Sequence, residues 1–198
     1  MTVAYAAPGS QAWYLSNESA GYQRWDMYKG DTTRDAGTLE IEQGPNLIWQ
    51  SDEVASIDVT FASDLWSVVV LTDTAPSTDN MFRGYLGTWD AYGGFVQINW
   101  WNWMGDGSTT SFSHSFNPGP FTVPTDHNLA FRLINVGDAT NENITVKLGS
   151  NFSYVISPTS DPGYPVPELP TLVLGGIGLV VLSAYIWFRR RKLLATTS

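Results

Sequence analysis

The chain has no cysteine in its 198 residues. No disulfide, no thiolate zinc site and no thiol nucleophile is therefore available to it. A protein without disulfides needs a large apolar core, and here nine Trp, nine Tyr and nine Phe supply the side chains. Each such ring removes about 150–250 Å² from water when it is buried. We expect a domain that folds around aromatic residues without covalent cross-links.

Basic residues are scarce and unevenly distributed. The chain has 10 basic and 19 acidic residues. Four of the basic residues lie at 189–192 and every acidic residue precedes Leu169, so residues 1–168 carry a formal net charge of −13. Such a surface repels phosphate backbones. We therefore expect no nucleic-acid partner.

Histidine is rarer still, with only His114 and His127 in the chain. No spacing joins them into a two-histidine metal motif, and the Gly-x-Ser-x-Gly nucleophile motif is missing. The acidic residues near turns do not follow the spacing of a calcium loop. We expect no catalytic role, no cofactor and no metal site. A hydrolase built on a carboxylate pair stays open, because such pairs converge in space and not in sequence.

Helical periodicity is also lacking before Leu169, where Gly, Pro, Asn and Asp interrupt every apolar run of helical length. Short runs rich in β-branched and aromatic residues take its place, and several alternate apolar with polar positions, such as Ile57, Val59 and Phe61 in 56–61. This texture predicts an all-β fold, an antiparallel β-sandwich of jelly-roll type over residues 8–158. The predicted strands are 12–16, 22–28, 38–42, 47–50, 55–61, 66–72, 94–103, 110–116, 129–135, 144–148 and 152–156.

The segment 94–103 contains the most suggestive ligand surface. If it alternates as a strand, Val96, Ile98, Trp100 and Asn102 face the core. The opposite face combines flat rings with amides, as sugar recognition requires. The alternative is that both faces are buried between two sheets, or that the second face packs under a loop. The residues of this predicted ligand face are Phe95, Gln97, Asn99, Trp101 and Trp103.

Three Asn-x-Ser/Thr sequons permit glycosylation if the chain is exported. They begin at Asn17, Asn143 and Asn151. About as many sequons are expected by chance from the Asn, Ser and Thr content, so they do not demonstrate modification.

A long uncharged stretch occupies residues 169–188 and ends at Arg189, Arg190, Arg191 and Lys192. Twenty residues of helix extend about 30 Å, the thickness of a bilayer's hydrocarbon core. The basic cluster is expected to hold its end in the cytoplasm. We predict one transmembrane helix at 169–188, a cytoplasmic tail at 189–198, and everything before the helix outside the cell. The membrane is thus an expected partner.

Just before this stretch, residues 159–168 are rich in proline and predict an extended stalk. The C-terminal region then combines a short motif, the apolar span and the basic cluster, and in this order it resembles the tail of PEP-CTERM and archaeal PEF-CTERM surface proteins. The motif consists of Val166, Pro167, Glu168, Leu169 and Pro170. The resemblance covers about residues 164–192. It implies recognition of Pro167 and Glu168 by an exosortase or archaeosortase transpeptidase, which would cleave there. A plain anchor that is never cut is the alternative.

The N-terminus contains Ala4, Tyr5 and Ala6 followed by Ala7 and Pro8, the small-x-small pattern of a signal peptidase site. We interpret residues 1–7 as the remnant of a signal peptide whose start lies upstream. A chance alanine-rich terminus is the alternative.

These patterns predict a non-catalytic cell-surface protein that interacts with polysaccharide or with other envelope proteins. A surface-anchored carbohydrate-binding module is the second hypothesis, and a surface hydrolase is the third.

The tail generates a direct test. If the sorting motif is processed, protein recovered from its native host should lack residues 193–198, because cleavage near Glu168 removes everything after it. Intact-mass spectrometry measures this. A mass that includes Leu193 to Ser198 would show that the tail is a plain anchor.

Overall fold

The computed structural model describes residues 9–164, apart from 22, 30–36, 43, 45, 91, 93, 137–142, 150 and 151. These residues fall within one compact unit, 7–166. A second unit, 1–6 with 167–198, is outside the described residues. The predicted signal remnant, sorting motif, transmembrane helix and basic cluster, and the sequon at Asn151, therefore also lie outside them.

The described part of the chain is all-β, and no helix occurs in it. Consistent with this, none of its segments is a helix with the length and apolarity needed to cross a membrane. The strands are β1 (Ala12–Gly21), β2 (Arg24–Lys29), β3 (Gly37–Ile41), β4 (Asn46–Ser51), β5 (Val59–Phe61), β6 (Trp66–Thr72), β7 (Met81–Asp90), β8 (Gly94–Met104), β9 (Ser111–Phe116), β10 (Phe121–Val123), β11 (Asn128–Asn135), β12 (Ile144–Leu148) and β13 (Tyr154–Ile156).

Eleven of the strands form one large mixed sheet in the order β3-β12-β6-β13-β1-β2-β4-β11-β7-β8, with β9 paired to β6. Strands β5 and β10 pair separately. The expected purely antiparallel pairing is corrected at one place, since β2 and β4 run parallel. Between β2 and β4 the chain forms β3 at the far edge of the sheet. Strand β4 then runs in the same direction as β2.

Two strands were not predicted, and the strands expected over 55–61 and 152–156 are both shorter, the second beginning only at Tyr154. Strand β7 contains Gly84 and Gly87, which resemble turn signals, and β10 is short and flanked by prolines. The strand expected over 55–61 begins only at Val59, because the residues before it form a loop. Ile57 therefore does not enter the core and is 50% exposed.

Aromatic side chains dominate the hydrophobic core, as the composition predicts. Trp13 of β1 stacks on Trp66 of β6 with ring centroids 6.2 Å apart, and Phe61 meets the Trp66 ring edge-on at 5.0 Å. The indole N–H of Trp49 donates to the carbonyl of Ser16 at 2.9 Å, which satisfies its one polar atom inside the core. These rings belong to a single buried cluster.

Tyr164 joins the end of the described chain to this core. Its ring is 1% exposed, and its hydroxyl lies 2.8 Å from the Ser51 hydroxyl and accepts the backbone N–H of Leu129 at 3.0 Å. The carboxylate of Asp161 accepts the N–H groups of Gly163 and Tyr164. Burial raises the pKa of Tyr164, which therefore remains a neutral hydroxyl at physiological pH.

A β-bulge in β8 decides which of its residues face the core. Gly87 of β7 pairs with Gln97, whereas the preceding residue, Leu86, pairs with Asn99. Ile98 therefore has no partner on β7. An unpaired residue shifts the alternation of side chains by one position. Trp101 is therefore 5% exposed, whereas Trp100, which simple alternation places in the core, is 49% exposed.

Two glycines of β7 make this pairing possible. A Cβ at Gly84 would lie 2.7 Å from the Trp101 ring, and one at Gly87 would lie still closer to the carbonyl oxygen of Val96. Both distances are too short for real Cβ contacts, so neither position accepts a side chain without movement of β8. The missing side chains of these glycines leave room for the Trp101 ring and the Val96 carbonyl of β8. The glycines therefore lie within β7 and do not end it.

The bulge predicts opposite effects for two neighbouring tryptophans. Trp101→Ala should lower the free energy of unfolding by about 3–5 kcal/mol, the usual cost of removing a large buried ring. Trp100→Ala, the matched control, should change it by less than about 1 kcal/mol because the ring is half-exposed. Urea denaturation followed by tryptophan fluorescence measures both. The reverse order of the two costs would mean that β8 has no bulge.

Candidate ligand-binding face

The outer face is the side of β2, β4, β11, β7 and β8 that points away from the hydrophobic core. Strand pairing arranges its side chains in rows that cross all five strands. One row carries mostly long basic and aromatic side chains, and the next carries two amides, a carboxylate and two small residues. The first row is Arg24, Ile48, Arg132, Tyr85 and Trp100, and the second is Asp26, Gln50, Ala130, Gly87 and Gln97.

Arg83 organises the exposed corner of the outer face at β7 and β8. Its Nε donates to the side-chain oxygen of Asn102 at 2.7 Å, and one terminal nitrogen lies 3.5 Å from the Tyr85 hydroxyl. Its guanidinium carbon stands 4.7 Å from the centroid of the Trp100 ring. This stacking orients the guanidinium and leaves part of its N–H edge for another partner.

Arg132 occupies the middle of the same face. Its guanidinium lies 5.2 Å from the Tyr85 ring and 5.6 Å from the Phe95 ring, and it donates to the Asn46 side-chain oxygen at 2.7 Å. Burial lowers the pKa of Arg132, because a low-dielectric surrounding disfavours its charge. It nevertheless stays protonated at any physiological pH.

Arg24 reaches across the face from its β2 side. Its guanidinium carbon lies 4.9 Å from the ring centroid of Trp89 on β7, although β4 and β11 lie between the two strands. Neighbouring strands are about 4.8 Å apart, so this contact joins side chains whose strands are separated by two others. The three arginines therefore converge over one surface from three different strands.

Several polar atoms of the outer face are shielded from water and have no hydrogen-bond partner among the described residues. They are Nε of Arg132, Oε1 of Gln50 and Nε1 of Trp89. A buried polar atom without a partner costs about 1–3 kcal/mol. These two donors and one acceptor are therefore places where a hydrogen bond from a ligand would offset that cost.

The face carries one carboxylate, Asp26, on β2. Burial raises its pKa, the nearby Glu18 and Asp52 carboxylates raise it further, and a hydrogen bond from the Gln50 side chain lowers it. The negative charge of the face is thus at its β2 side, away from Arg83 and Trp100 on β7 and β8.

The five residues of the predicted ligand face are not brought together. Phe95 and Gln97 precede the bulge and lie on the outer face, but Asn99, Trp101 and Trp103 follow it and point inward. Trp101 stacks on Phe116 of β9 at 4.5 Å, and Trp103 donates to the Ser113 carbonyl at 3.3 Å. These two rings form part of the core, and Trp100 is the exposed tryptophan of β8.

Sequence reasoning missed Arg83, Tyr85 and Trp100. The first two lie on β7, which was not predicted as a strand, and Trp100 was assigned to the core because the bulge was not foreseen. Arg132 had a usable signal, since it alternates with Leu129, Phe131 and Leu133 in the chain. Those three leucine and phenylalanine side chains are fully buried, as alternation predicts.

The two histidines lie in separate surroundings. His114 stacks beside Trp101 at 5.1 Å, and burial lowers its pKa. Nε2 of His127 is 4.0 Å from the Asp90 carboxylate, and Nδ1 is 3.0 Å from the Thr125 carbonyl oxygen. Within the described residues no group of three His, Cys, Asp or Glu side chains could hold a metal ion.

Two of the three sequons can be placed. Asn17 is exposed in β1, and Asn143 is exposed just before β12. The side-chain nitrogen of Asn143, the atom that would carry a glycan, donates to Glu40 at 2.6 Å. Modification at Asn143 would replace this hydrogen bond.

No protein-family model and no curated protein matches the sequence. Solved structures do match the fold. An α-amino acid ester hydrolase superposes with a TM-score of 0.55 over 76% of this chain at 11% identity, and a CocE/NonD family hydrolase from Staphylococcus aureus with 0.56 over 79% at 9%. An aminopeptidase from a marine sediment archaeon superposes with 0.54 over 74% at 7%. The chain covers 36%, 37% and 36% of these three proteins.

These matches correct the expectation of a protein with no catalytic role. That expectation came from missing motifs, but the fold of this chain occurs inside hydrolases and a peptidase. At identities of 7–11% the likeness establishes the fold alone. The prediction of no catalytic role is therefore wrong, because it was drawn from missing sequence motifs and the fold of this chain is one that enzymes contain.

Proposed function

We propose that this chain supplies the carbohydrate-binding β-sandwich of a hydrolase-type protein anchored at the cell surface, and that the outer face is the binding surface. The observation that carries the proposal is the exposed corner of Trp100, Arg83, Gln97 and Asn102. It combines a half-exposed ring with amide and guanidinium groups within one surface.

The sandwich architecture is inferred from two features. Strand β1 pairs with β13 through Ala12–Tyr14 and with β2 from Trp13 to Gly21, so it is the strand that joins the two halves of the large sheet. The inner side chains of β8 and β9, which are far apart in strand order, meet where Trp101 contacts Phe116. A sheet folded over in this way would form the two layers of a jelly roll.

The chemistry of the exposed corner favours a sugar. A pyranose offers C–H groups on its faces, which pack on an aromatic ring, and hydroxyls at its edge, which bond to amide and guanidinium groups. Trp100 provides the ring, and Asn102, Gln97 and Arg83 surround it in the pairing register. Several strands contribute to the face, so an extended polymer could contact more than one of them.

The hydrolase part of the proposal draws on the structural likeness. Because the fold makes up about a third of each matching hydrolase, we infer that it works beside hydrolytic chemistry. The surface location draws on the sequence: the span at 169–188 would anchor the protein, with Arg189 to Lys192 inside the cell. Pro167 and Glu168 would be read by an exosortase or archaeosortase.

Trp100 is the residue that tests binding. In affinity electrophoresis through gels that contain polysaccharide, the detergent-solubilised full chain should be retarded, and Trp100→Ala should weaken retention roughly tenfold or more, as for a central aromatic contact. Tyr92→Ala is the matched control, because Tyr92 is 99% exposed in the turn between β7 and β8. If no neutral or acidic polysaccharide retards the wild-type chain, the proposed function is wrong.

The proposed link to hydrolysis is tested by measuring the hydrolase activity of membranes that contain either the wild-type chain or Trp100→Ala. Hydrolysis of an ester-bearing polysaccharide should fall in the variant, because the polymer is held less well. Hydrolysis of a small soluble ester should stay unchanged, since it needs no polymer contact. Equal rates on the polymer for both proteins would argue against a role of this face in hydrolysis.

An envelope protein is the second candidate ligand. Met104 is, like Trp100, an exposed apolar residue of β8 on the outer face, at 58%. Aromatic residues, Met and Arg are enriched in protein interfaces. Absence of polysaccharide binding, with Trp100-dependent association of the chain with an envelope protein, would favour this candidate.

A further inference from the structure

We propose that the ligand of the outer face is a polysaccharide with carboxylate groups, a polymer of uronic acids, which Arg24, Arg83 and Arg132 bind. This inference rests on the proposed carbohydrate-binding function and specifies the chemical class of its ligand.

The first argument is the unequal distribution of charge. Residues 1–168 hold six basic side chains against 19 acidic ones, yet three of the six are on this one face. On the described strands of the face Asp26 is the one carboxylate, and it lies on β2 near Glu18 and Asp52, away from Arg83 and Trp100. A positive surface on an otherwise acidic protein favours a negatively charged ligand.

The second argument is that these arginines have no counter-ion within the described residues. The ion pairs there join Lys147 to Asp73 and His127 to Asp90. Arg83 and Arg132 instead contact neutral amides and aromatic rings. A partly buried charge without a counter-ion is costly, and an anionic ligand would remove that cost.

The third argument is geometry. Arg132 pairs with Tyr85 and Arg83 pairs with Ile134, so the two arginines are diagonal neighbours, about 7–8 Å apart at their bases. Each guanidinium is a planar fork that matches the two oxygens of a carboxylate. Trp100 lies beside Arg83 and supplies the stacking surface for the sugar ring that bears the carboxylate.

Cation–π stacking alone does not explain the cluster. Stacking uses the flat face of a guanidinium and contributes about 0.5–1 kcal/mol at exposed sites. The N–H groups at its edge still need acceptors, and Nε of Arg132 has none among the described residues. A carboxylate in the plane of the guanidinium would accept from this edge while the stacking is kept.

The experiment compares three polymers with the full chain in neutral detergent. Polygalacturonate is the uronic-acid probe, dextran the neutral one, and dextran sulfate the anion with a different geometry. Affinity electrophoresis should show the strongest retention by polygalacturonate, and added salt should weaken it because the contacts are ionic. Arg83→Gln should weaken it roughly tenfold to a hundredfold, the loss of a charged hydrogen bond.

Lys147→Gln is the matched control, since it removes one positive charge from β12, outside the outer face. It should leave retention within about twofold of the wild type, because screening separates it from the ligand. Arg83→Lys keeps the charge but not the fork, and it should bind between wild type and Arg83→Gln. Thermal melting of each variant establishes that it is folded.

The outcomes separate the two proposals. Equal retention by dextran and polygalacturonate, with loss in Trp100→Ala, would overturn the uronic-acid assignment and leave carbohydrate binding in place. Equal retention by dextran sulfate, or equal loss in Lys147→Gln and Arg83→Gln, would reduce the effect to general charge attraction and also overturn the assignment. Retention by none of the polymers would overturn both.

Discussion

The pairing of β7 with β8 is the constraint on which the rest of the described structure depends. Gly84 leaves the space that the Trp101 ring fills, and Gly87 lets the Val96 carbonyl approach at the bulge. Through Trp101 the pair contacts Phe116 of β9 and Phe131 of β11, so the same packing joins distant parts of the sheet. Because Ile98 is unpaired, Trp101 turns into the core and Trp100 turns outward. One extra residue thus places Trp101 in the aromatic core and Trp100 at the exposed corner.

The outer face shows how an acidic protein can present a basic surface. Its arginines are held by stacking on Trp100, Tyr85 and Trp89 and by neutral amides, without carboxylate partners among the described residues. Rings and amides fix the direction of a guanidinium but do not neutralise it. The positive charge therefore remains available to a ligand. This separation of orientation from neutralisation is the reason why we propose an anionic polymer as the ligand.

The likeness to hydrolases illustrates the distance between fold and activity. Identities of 7–11% over about three quarters of the chain show that very different sequences can build this sheet. They also show that missing catalytic motifs are a poor guide to the class of protein in which a fold occurs. Function has to be argued from the site, which here is a surface of rings, amides and arginines on five strands.

The sequence alone determined the all-β class, the aromatic core and the faces of strands that alternate without interruption, such as β11, where Leu129, Phe131 and Leu133 are buried. It also determined the charge imbalance and the absence of disulfides. Only the tertiary structure decided that β2 and β4 run parallel, that β7 is a strand, and that Trp100 is outside while Trp101 is inside. The physical reason is that alternation is a property of one strand, whereas a bulge and a glycine space are properties of two. A bulge and a glycine space exist only once a particular neighbouring strand has paired. Which strand pairs there depends on residues that are distant in the sequence.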